Sequence, residues 1–312
     1  PNGPAYLLDE GTTGESTVSK IERVKVKLRD KRAKAHVVSS LDDLAWLLNI
    51  RGTDVKCNPV VLGFFLIEET RNTLFIDMAK LHQDEQGRLA EAGIILKPYE
   101  EVFAAVRSLD AQRILLDPKR TCFAMYDSVP NGVKIVEDIN PSTHLKAAKN
   151  EVEIAHTREA MLKDGVAMTR FFKWLEEYVS HGNLTEISIA EKLQEFRAEG
   201  KDFVDISFDT IAGYLEHGAL PHYKATEESN ATLRAEGLLL VDSGGQYKDG
   251  TTDITRVVSL GEATAEEKAD YTIVLKGTIE GSQAVFPKGT RGYQIDAITR
   301  RPIWETGRNY GH

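Results

Sequence analysis

The stretch LLLVDSGGQYKDGTTDITRVVS, residues 238–259, decides how this chain is read. Residues 238–241 are an apolar run of strand length, and residues 251–258 are rich in Thr, Ile and Val, which suits a pleated strand. Lys248-Asp249-Gly250 lies between them, and an Asp-Gly step between two such runs is a hairpin signal. Strands paired around that turn set Asp242 and Asp253 roughly opposite each other on one face. Ser243, Gly244 and Gly245 can add a bulge, which moves the register by about a residue. Two facing carboxylates repel: at about 5 Å and an effective dielectric of ~20 the cost is roughly 3 kcal/mol. A shared proton, an arginine such as Arg256, or a cation offsets this, and two divalent ions held by bridging carboxylates do so most completely. In the alternative, one Asp caps the turn and the other is a solvated strand residue.

Around this stretch stand three further words, PHY (221–223), FPKGTRG (286–292) and NYGH (309–312), and, nearer the start, LDDLAWLLNIRGTDV (41–55). Together with VDSGGQYKDGTTDITR (241–256) they resemble the Xaa-Pro aminopeptidase (aminopeptidase P) family, in its long three-domain form, within the pita-bread metallopeptidase superfamily. The similarity runs over residues 19–312. It implies an α/β creatinase-N-like domain followed by an α+β pita-bread catalytic domain that is C-terminally incomplete. Residues 1–18 then form a linker or the tail of a preceding domain, residues 19–141 the α/β second domain, and residues 142–312 the truncated catalytic domain.

The resemblance also implies a site. The family binds two divalent metal ions through two Asp, one His and two Glu. Asp242 and Asp253 match the two Asp, with Asp253 at the position that bridges both ions. The liganding His follows NYGH within a few residues and the two Glu come later still, so these ligands fall outside the sequence. The chain opens at Pro1 without an initiator Met; it is expected to be an internal piece of a larger enzyme, and inactive by itself. The mixed oxygen and nitrogen ligand set suits manganese, with zinc or cobalt able to substitute. His222 takes the place of a family His that serves the scissile peptide as a hydrogen-bond or proton-transfer group, work an imidazole does well near neutral pH. His312 matches a His that contacts substrate or intermediate and is not a metal ligand.

The implied activity is removal of the N-terminal residue from peptides with proline second, by attack of a hydroxide bridging two metals. Proline lacks an amide N–H and fixes φ, so such a peptide needs a dedicated pocket. Prolidase or creatinase shares the fold and parts of the motifs; the match at 41–55 favours the aminopeptidase. A non-catalytic pita-bread binding protein is the remaining alternative, and the retained aspartates and histidines count against it. The family implies a homodimer when intact, and two cysteines without CxxC spacing imply a reduced, cytoplasmic protein.

Bulk properties agree. The 312 residues are 41% apolar and 28% charged, with a mean hydropathy of −0.31, as in soluble globular proteins. No apolar run approaches the ~20 residues of a membrane span. A net charge of −9 argues against a nucleic-acid partner, whose phosphates require Lys and Arg. The one basic cluster, residues 20–34, places Ile21, Val24 and Leu28 at helical spacing and reads as a solvated amphipathic helix. Cys57 and Cys122 show no CxxC spacing and read as two reduced thiols.

Residues 36–39, 60–67, 73–76 and 114–116 read as strands, and 85–92 and 99–109 as helices, with Asp42 or Asp43 capping a helix that runs through Leu48. Trp46 lies on the apolar face of that helix and is expected in the core. Asn140-Pro141 marks a boundary. Asn150 with Glu153 opens a long helix to about residue 179, Thr185 opens another that stops near Gly200, and 203–208 is a strand. Thr264 with Glu267 makes a capping box for a helix to about residue 285. A last helix, 293–305, carries Pro302 inside it. His36, His82, His144, His156, His181 and His217 carry no motif and read as structural or surface residues.

Overall fold

Side-chain alternation along Gly63–Glu68 and Asn72–Ile76 shows how the N-terminal half is built. Phe65, Ile67, Leu74 and Ile76 fall in one buried cluster, while Leu66 and Phe75 fall in another. A period of two sends successive residues to opposite faces of a sheet, so this sheet is covered on both sides. The computed structural model describes Pro1 and residues 3–312. Eight strands come first: β1 Tyr6–Leu7, β2 Ala35–Val38, β3 Ile50–Arg51, β4 Gly63–Glu68, β5 Asn72–Ile76, β6 Ile94–Lys97, β7 Arg113–Leu116 and β8 Lys134–Glu137. Six follow: β9 Phe203–Ile206, β10 Ile211–Tyr214, β11 Leu238–Ser243, β12 Gly245–Tyr247, β13 Gly250–Thr251 and β14 Ile254–Ser259. The helices begin with α1 Glu10–Thr13, α2 Thr17–Asp30, α3 Leu41–Leu47, α4 Gln83–Glu91, α5 Val102–Arg107, α6 Phe123–Asp127 and α7 Pro141–Ala147. They continue with α8 Glu151–Tyr178, α9 Glu186–Ala198, α10 Ala265–Gln283 and α11 Gly292–Trp304. None of the helices among the described residues is long and apolar enough to cross a membrane.

Two compact units emerge. The first comprises Pro1–Lys163, Lys201–Ser207 and Gly245–Thr252; the second comprises Asp164–Gly200, Phe208–Gly244 and Asp253–His312.

In the first unit a six-stranded mixed sheet has the order β6-β5-β4-β2-β7-β8. The pairs β2–β4 and β4–β5 are antiparallel; β5–β6, β2–β7 and β7–β8 are parallel. Ile21, Val24 and Leu28 of α2 and Leu44 and Leu47 of α3 pack on one face, and Val102 and Val106 of α5 with Met125 of α6 on the other. The basic helix is as expected except at Lys20, which is 1% exposed. Its ammonium donates to Trp46 O at 3.0 Å and Asn49 Oδ1 at 2.7 Å and lies 4.6 Å from the Trp46 ring. Burial pushes this lysine down to about 8. Trp46 is half-buried against the core, with its indole N–H donating to Glu153.

Four readings need correction. Residues 1–18 are built into the unit: β1 pairs with β3, Asp9 caps α1 through Thr12 N, and Ala5 is 1% exposed. The cap of α3 is Ser40, not Asp42 or Asp43. Asp43 is buried instead and takes hydrogen bonds from Ser40, Asn140 and Thr143. Asn140 thus contributes to this core rather than only marking a boundary, and α7 beyond it packs on α2 and α3. Strands β6 and β8 and helix α6 went unread. Cys57 is buried and Cys122 exposed, and no disulfide joins them.

In the second unit the antiparallel sheet β10-β11-β14 is covered on one face by Met168, Phe171 and Leu175 of α8 and Ile189 and Leu193 of α9, which meet Ala212, Tyr214, Leu239 and Val241. The start of α8, which belongs to the first unit, and the start of α9 follow their sequence signals. Asn150 and Glu153 exchange hydrogen bonds of 2.9 Å at the head of α8, and Thr185 caps α9 through a box closed by Ser188. Beneath this sheet Arg197 and Asp164, both fully buried, form a two-point ion pair at 2.7 and 3.0 Å.

Candidate active site

Asp242 sits near the end of β11, the central strand of the second unit's sheet. Burial along that strand alternates: Leu239, Val241 and Ser243 are buried, and Leu238, Leu240 and Asp242 are partly exposed. The alternation turns Asp242 away from the helices that cover the other face. Its Oδ1 accepts a hydrogen bond of 2.7 Å from Thr255 Oγ1. Ser243, one residue on, points the opposite way and is tied to the buried Arg197 at 3.1 Å.

The register differs from the expected one. Asp242 pairs with Thr255, not Asp253. Farther along, Gln246 pairs with Thr251 and Tyr247 with Gly250, so four residues on one side match four on the other and no bulge intervenes. The irregularity lies where β12 meets β9, between Gln246 and Tyr247. The two-residue turn is Lys248-Asp249, with Gly250 already in β13. Asp253 stands two residues before the partner of Asp242, just ahead of β14, where a strand period of two carried one residue past the strand end would set it diagonal to Asp242. Diagonal residues lie roughly 7–8 Å apart at Cα, within reach of one shared ligand. Asp253 is exposed.

Arg256 does not offset these charges. Its Nη1 donates to Thr255 O, its own neighbour's carbonyl. Among the described residues no lysine or arginine forms an ion pair with Asp242 or Asp253. Two neighbouring carboxylates without a counter-charge, presenting hard anionic oxygens on an open face, fit the donor set a divalent cation takes. They are two donors only; among the described residues no cluster of three or more His, Cys, Asp or Glu could hold a metal.

The structure brings His222 and His312 together. Their rings are 4.9 Å apart and nearly perpendicular, at 88°. His222 has a left-handed backbone, φ +56°, in a stretch without helix or strand. His312 is held on α11 by Arg300, which donates to Tyr310 O at 2.6 Å and to His312 O. Both imidazoles are exposed.

Sequence reasoning passed over the groups behind His222. Tyr223 and the partly exposed His217 form one network around the buried Glu186. Tyr223 belongs to the PHY word that carried His222, and that adjacency is the signal that could have found it. Glu186 opens α9, and no motif in the sequence singles it out beside its capping neighbour Thr185. Of the other histidines set aside, His36 is fully buried; its Nδ1 lies 3.0 Å from Leu115 O, and burial lowers its pKa.

Residues 155–312 match the metallopeptidase family M24, and residues 1–153 match the creatinase/prolidase N-terminal domain. Xaa-Pro aminopeptidase 1 of Dictyostelium discoideum is 39% identical over 318 residues, covering 100% of this chain and 50% of its own length. A probable Xaa-Pro aminopeptidase P of Laccaria bicolor is 39% identical over 320 residues, covering 100% of this chain and 49% of its own. Among solved structures, the X-prolyl aminopeptidase of Caenorhabditis elegans, a cytosolic enzyme with a di-nuclear active site, superposes with a TM-score of 0.91 at 33% identity. That match covers 98% of this chain and 51% of the other. The Xaa-Pro dipeptidase of Bacillus anthracis shares the fold, with a TM-score of 0.74 at 22% identity over 94% of this chain and 78% of its own. The chain spans about half the length of the curated relatives it matches. With a creatinase-like domain ahead of a pita-bread domain, this chain belongs to metallopeptidase family M24.

Proposed function

We propose that the protein containing this chain is a metal-dependent aminopeptidase that releases the N-terminal residue from peptides with proline in second position. The observation that carries the reading is the pair Asp242 and Asp253, without a counter-charge on an open sheet face, in a chain whose relatives bear that activity in their names. Asp242 and Asp253 would supply carboxylate ligands to a pair of divalent ions. When bound, the ions supply a nucleophile at neutral pH and polarise the scissile carbonyl. Manganese is our assignment, because a site of carboxylate and imidazole suits it.

This chain's own residues do the rest. Thr255 donates to Asp242 Oδ1, which fixes that carboxylate and leaves its second oxygen for a cation. His222 and His312, in contact edge to face, offer one peptide both a donor and an acceptor. In our reading His222 serves the scissile amide and His312 the developing tetrahedral centre, and neither is a ligand. The protein acts in the cytoplasm, as a homodimer.

The test uses the full-length protein. Stripped of metal by a chelator, it should lose hydrolysis of Ala-Pro-Pro and regain it with manganese, and Asp253→Asn should lower kcat about 10³-fold or more, which is some 4 kcal/mol of transition-state stabilisation. Hydrolysis indifferent to chelation defeats the proposal, and a preference for the Ala-Pro dipeptide over Ala-Pro-Pro turns it to a prolidase.

A further inference from the structure

His222 is the third residue of a turn that opens with Leu220-Pro221 and is closed by Tyr223 N donating to Leu220 O at 3.2 Å. A non-glycine residue at φ +56° stays there only where the surroundings over-determine it. Residues 220–231 contain no helix or strand, and beyond the backbone bonds Tyr223 N to Leu220 O and Asn230 N to Thr226 O side chains hold the path. One carboxylate does this. Glu186, the first residue of α9, is fully buried. Its Oε1 accepts from Tyr214 N and from His217 Nδ1, both at 2.9 Å. Its Oε2 accepts from the Tyr223 hydroxyl at 2.8 Å and from Ala231 N at 3.0 Å.

Those four donors come from before, within and after the loop that carries His222, so a single side chain ties both ends to the middle. All of the carboxylate's acceptor positions are used. The His217 and Tyr223 rings stack on each other at 4.5 Å, and the Tyr223 hydroxyl oxygen also lies 3.1 Å from Ser229 Oγ. Burial pushes the Tyr223 phenol up, against a smaller opposing effect of the Ser229 hydrogen bond, which keeps it a donor to Glu186. A carboxylate in the first turn of a helix is itself held by the helix dipole, which gives the clamp a fixed base.

We propose that Glu186 is the positioning residue of His222, acting through Tyr223 and His217 to hold that imidazole against His312. The proposal rests on the reading of His222 as a substrate-contacting group. In the full-length, metal-loaded protein, Glu186→Gln puts a donor where an acceptor was and strips two of the four donors of their partner. We expect kcat on Ala-Pro-Pro to fall about tenfold or more while KM moves less than about threefold, the signature of lost positioning rather than lost binding. Hydrogen exchange in peptides covering residues 214–231 should quicken about tenfold, with β11 and the body of α9 unchanged. Tyr223→Phe keeps the ring and removes one bond, so it should give the same pattern at smaller size. An unchanged kcat in a variant whose loop exchange has quickened overturns the proposal. So does unaltered loop exchange in Glu186→Gln, or a uniform rise across the unit in both variants. A wild-type protein inert toward every Xaa-Pro peptide overturns the reading of the site instead, and the exchange measurement then still decides whether Glu186 holds the loop.

Discussion

The six-stranded sheet of the first unit and the helix pair α10–α11 of the second are both rich in apolar side chains, and they bury them to opposite degrees. Along β4 and β5, Phe65, Leu66, Ile67, Leu74, Phe75 and Ile76 are each at most 1% exposed. Along α10 only Gly277 is buried, and along α11 only Pro302. Tyr271, Val274, Leu275 and Ile279 of α10 are about half exposed, and Val285 just beyond it is fully exposed. The two helices meet through small residues: a Cβ on Gly277 would lie 2.2 Å from Thr299 O, and one on Gly281 2.2 Å from Thr299 Cγ2. Close backbone approach therefore joins them, while their larger apolar side chains point elsewhere. A sheet with helices on both faces closes its own core. A helix pair with apolar residues spread around it presents a surface of the kind that marks an interaction site. Stability should thus reside in the first unit, while the candidate chemistry and the open apolar surface lie in the second.

The largest expected effect sets the two regions directly against each other. Phe75→Ala should destabilise the first unit by about 4 kcal/mol, the cost of emptying a closed aromatic site. Val274→Ala on α10, already 53% exposed, should change stability by no more than about 0.5 kcal/mol. Urea unfolding read by hydrogen exchange in peptides from each unit measures both. Similar costs at the two positions would break the comparison.

The next effect concerns a charge inside the well-buried unit. Lys20 is buried with its pKa lowered to about 8 from an ordinary 10.5. Between these values the unfolded chain binds more protons than the folded one, so stability must rise with pH across that window. From pH 8 to 9.5 the gain should be about 2 kcal/mol, at roughly 1.4 kcal/mol per unit. Lys20→Met should remove this slope. A wild-type slope equal to that of the variant would show that Lys20 stays solvated.

What was legible follows from where the physics is local. The capping pairs Asn150 with Glu153 and Thr264 with Glu267, and the apolar runs at 60–67 and 73–76, are short-range patterns; both caps form, and strands form at Gly63–Glu68 and Asn72–Ile76, the first starting three residues later than expected. Strands β6 and β8 lie at the two edges of the sheet, with burial too uneven to alternate cleanly, and they escaped. Lys20 was readable and was missed: with Val24 and Leu28 it falls at a four-residue spacing on the buried stripe. Both aspartates and both histidines were visible as words, but their geometry was not. The register depends on a turn of two residues rather than three, and the meeting of His222 with His312 joins segments 90 positions apart in the sequence. Glu186 collects donors from residues 214–231, and no periodicity in the sequence points a carboxylate at them.

The smallest effect isolates what holds a helix that packing does not. Both α9 and α10 begin with a capping box, Thr185 with Ser188 and Thr264 with Glu267. Beyond the cap they differ, since α9 buries Ile189, Leu193 and Arg197 while α10 buries only Gly277. Replacing either threonine by alanine removes the same side-chain acceptor, worth about 1 kcal/mol, or roughly a fivefold change in a local opening equilibrium. In α9 the buried residues hold the later turns, so Thr185→Ala should quicken exchange in the first turn alone. In α10 helix formation rests more on its ends, because a helix with little tertiary burial gains little beyond its nucleus. Thr264→Ala should therefore quicken exchange about fivefold well into the 19 residues of α10. If the increase stopped at the first turn in both helices, α10 would have to be anchored by contacts as firm as those of α9, and its exposed apolar residues would lose their meaning as an unmet surface.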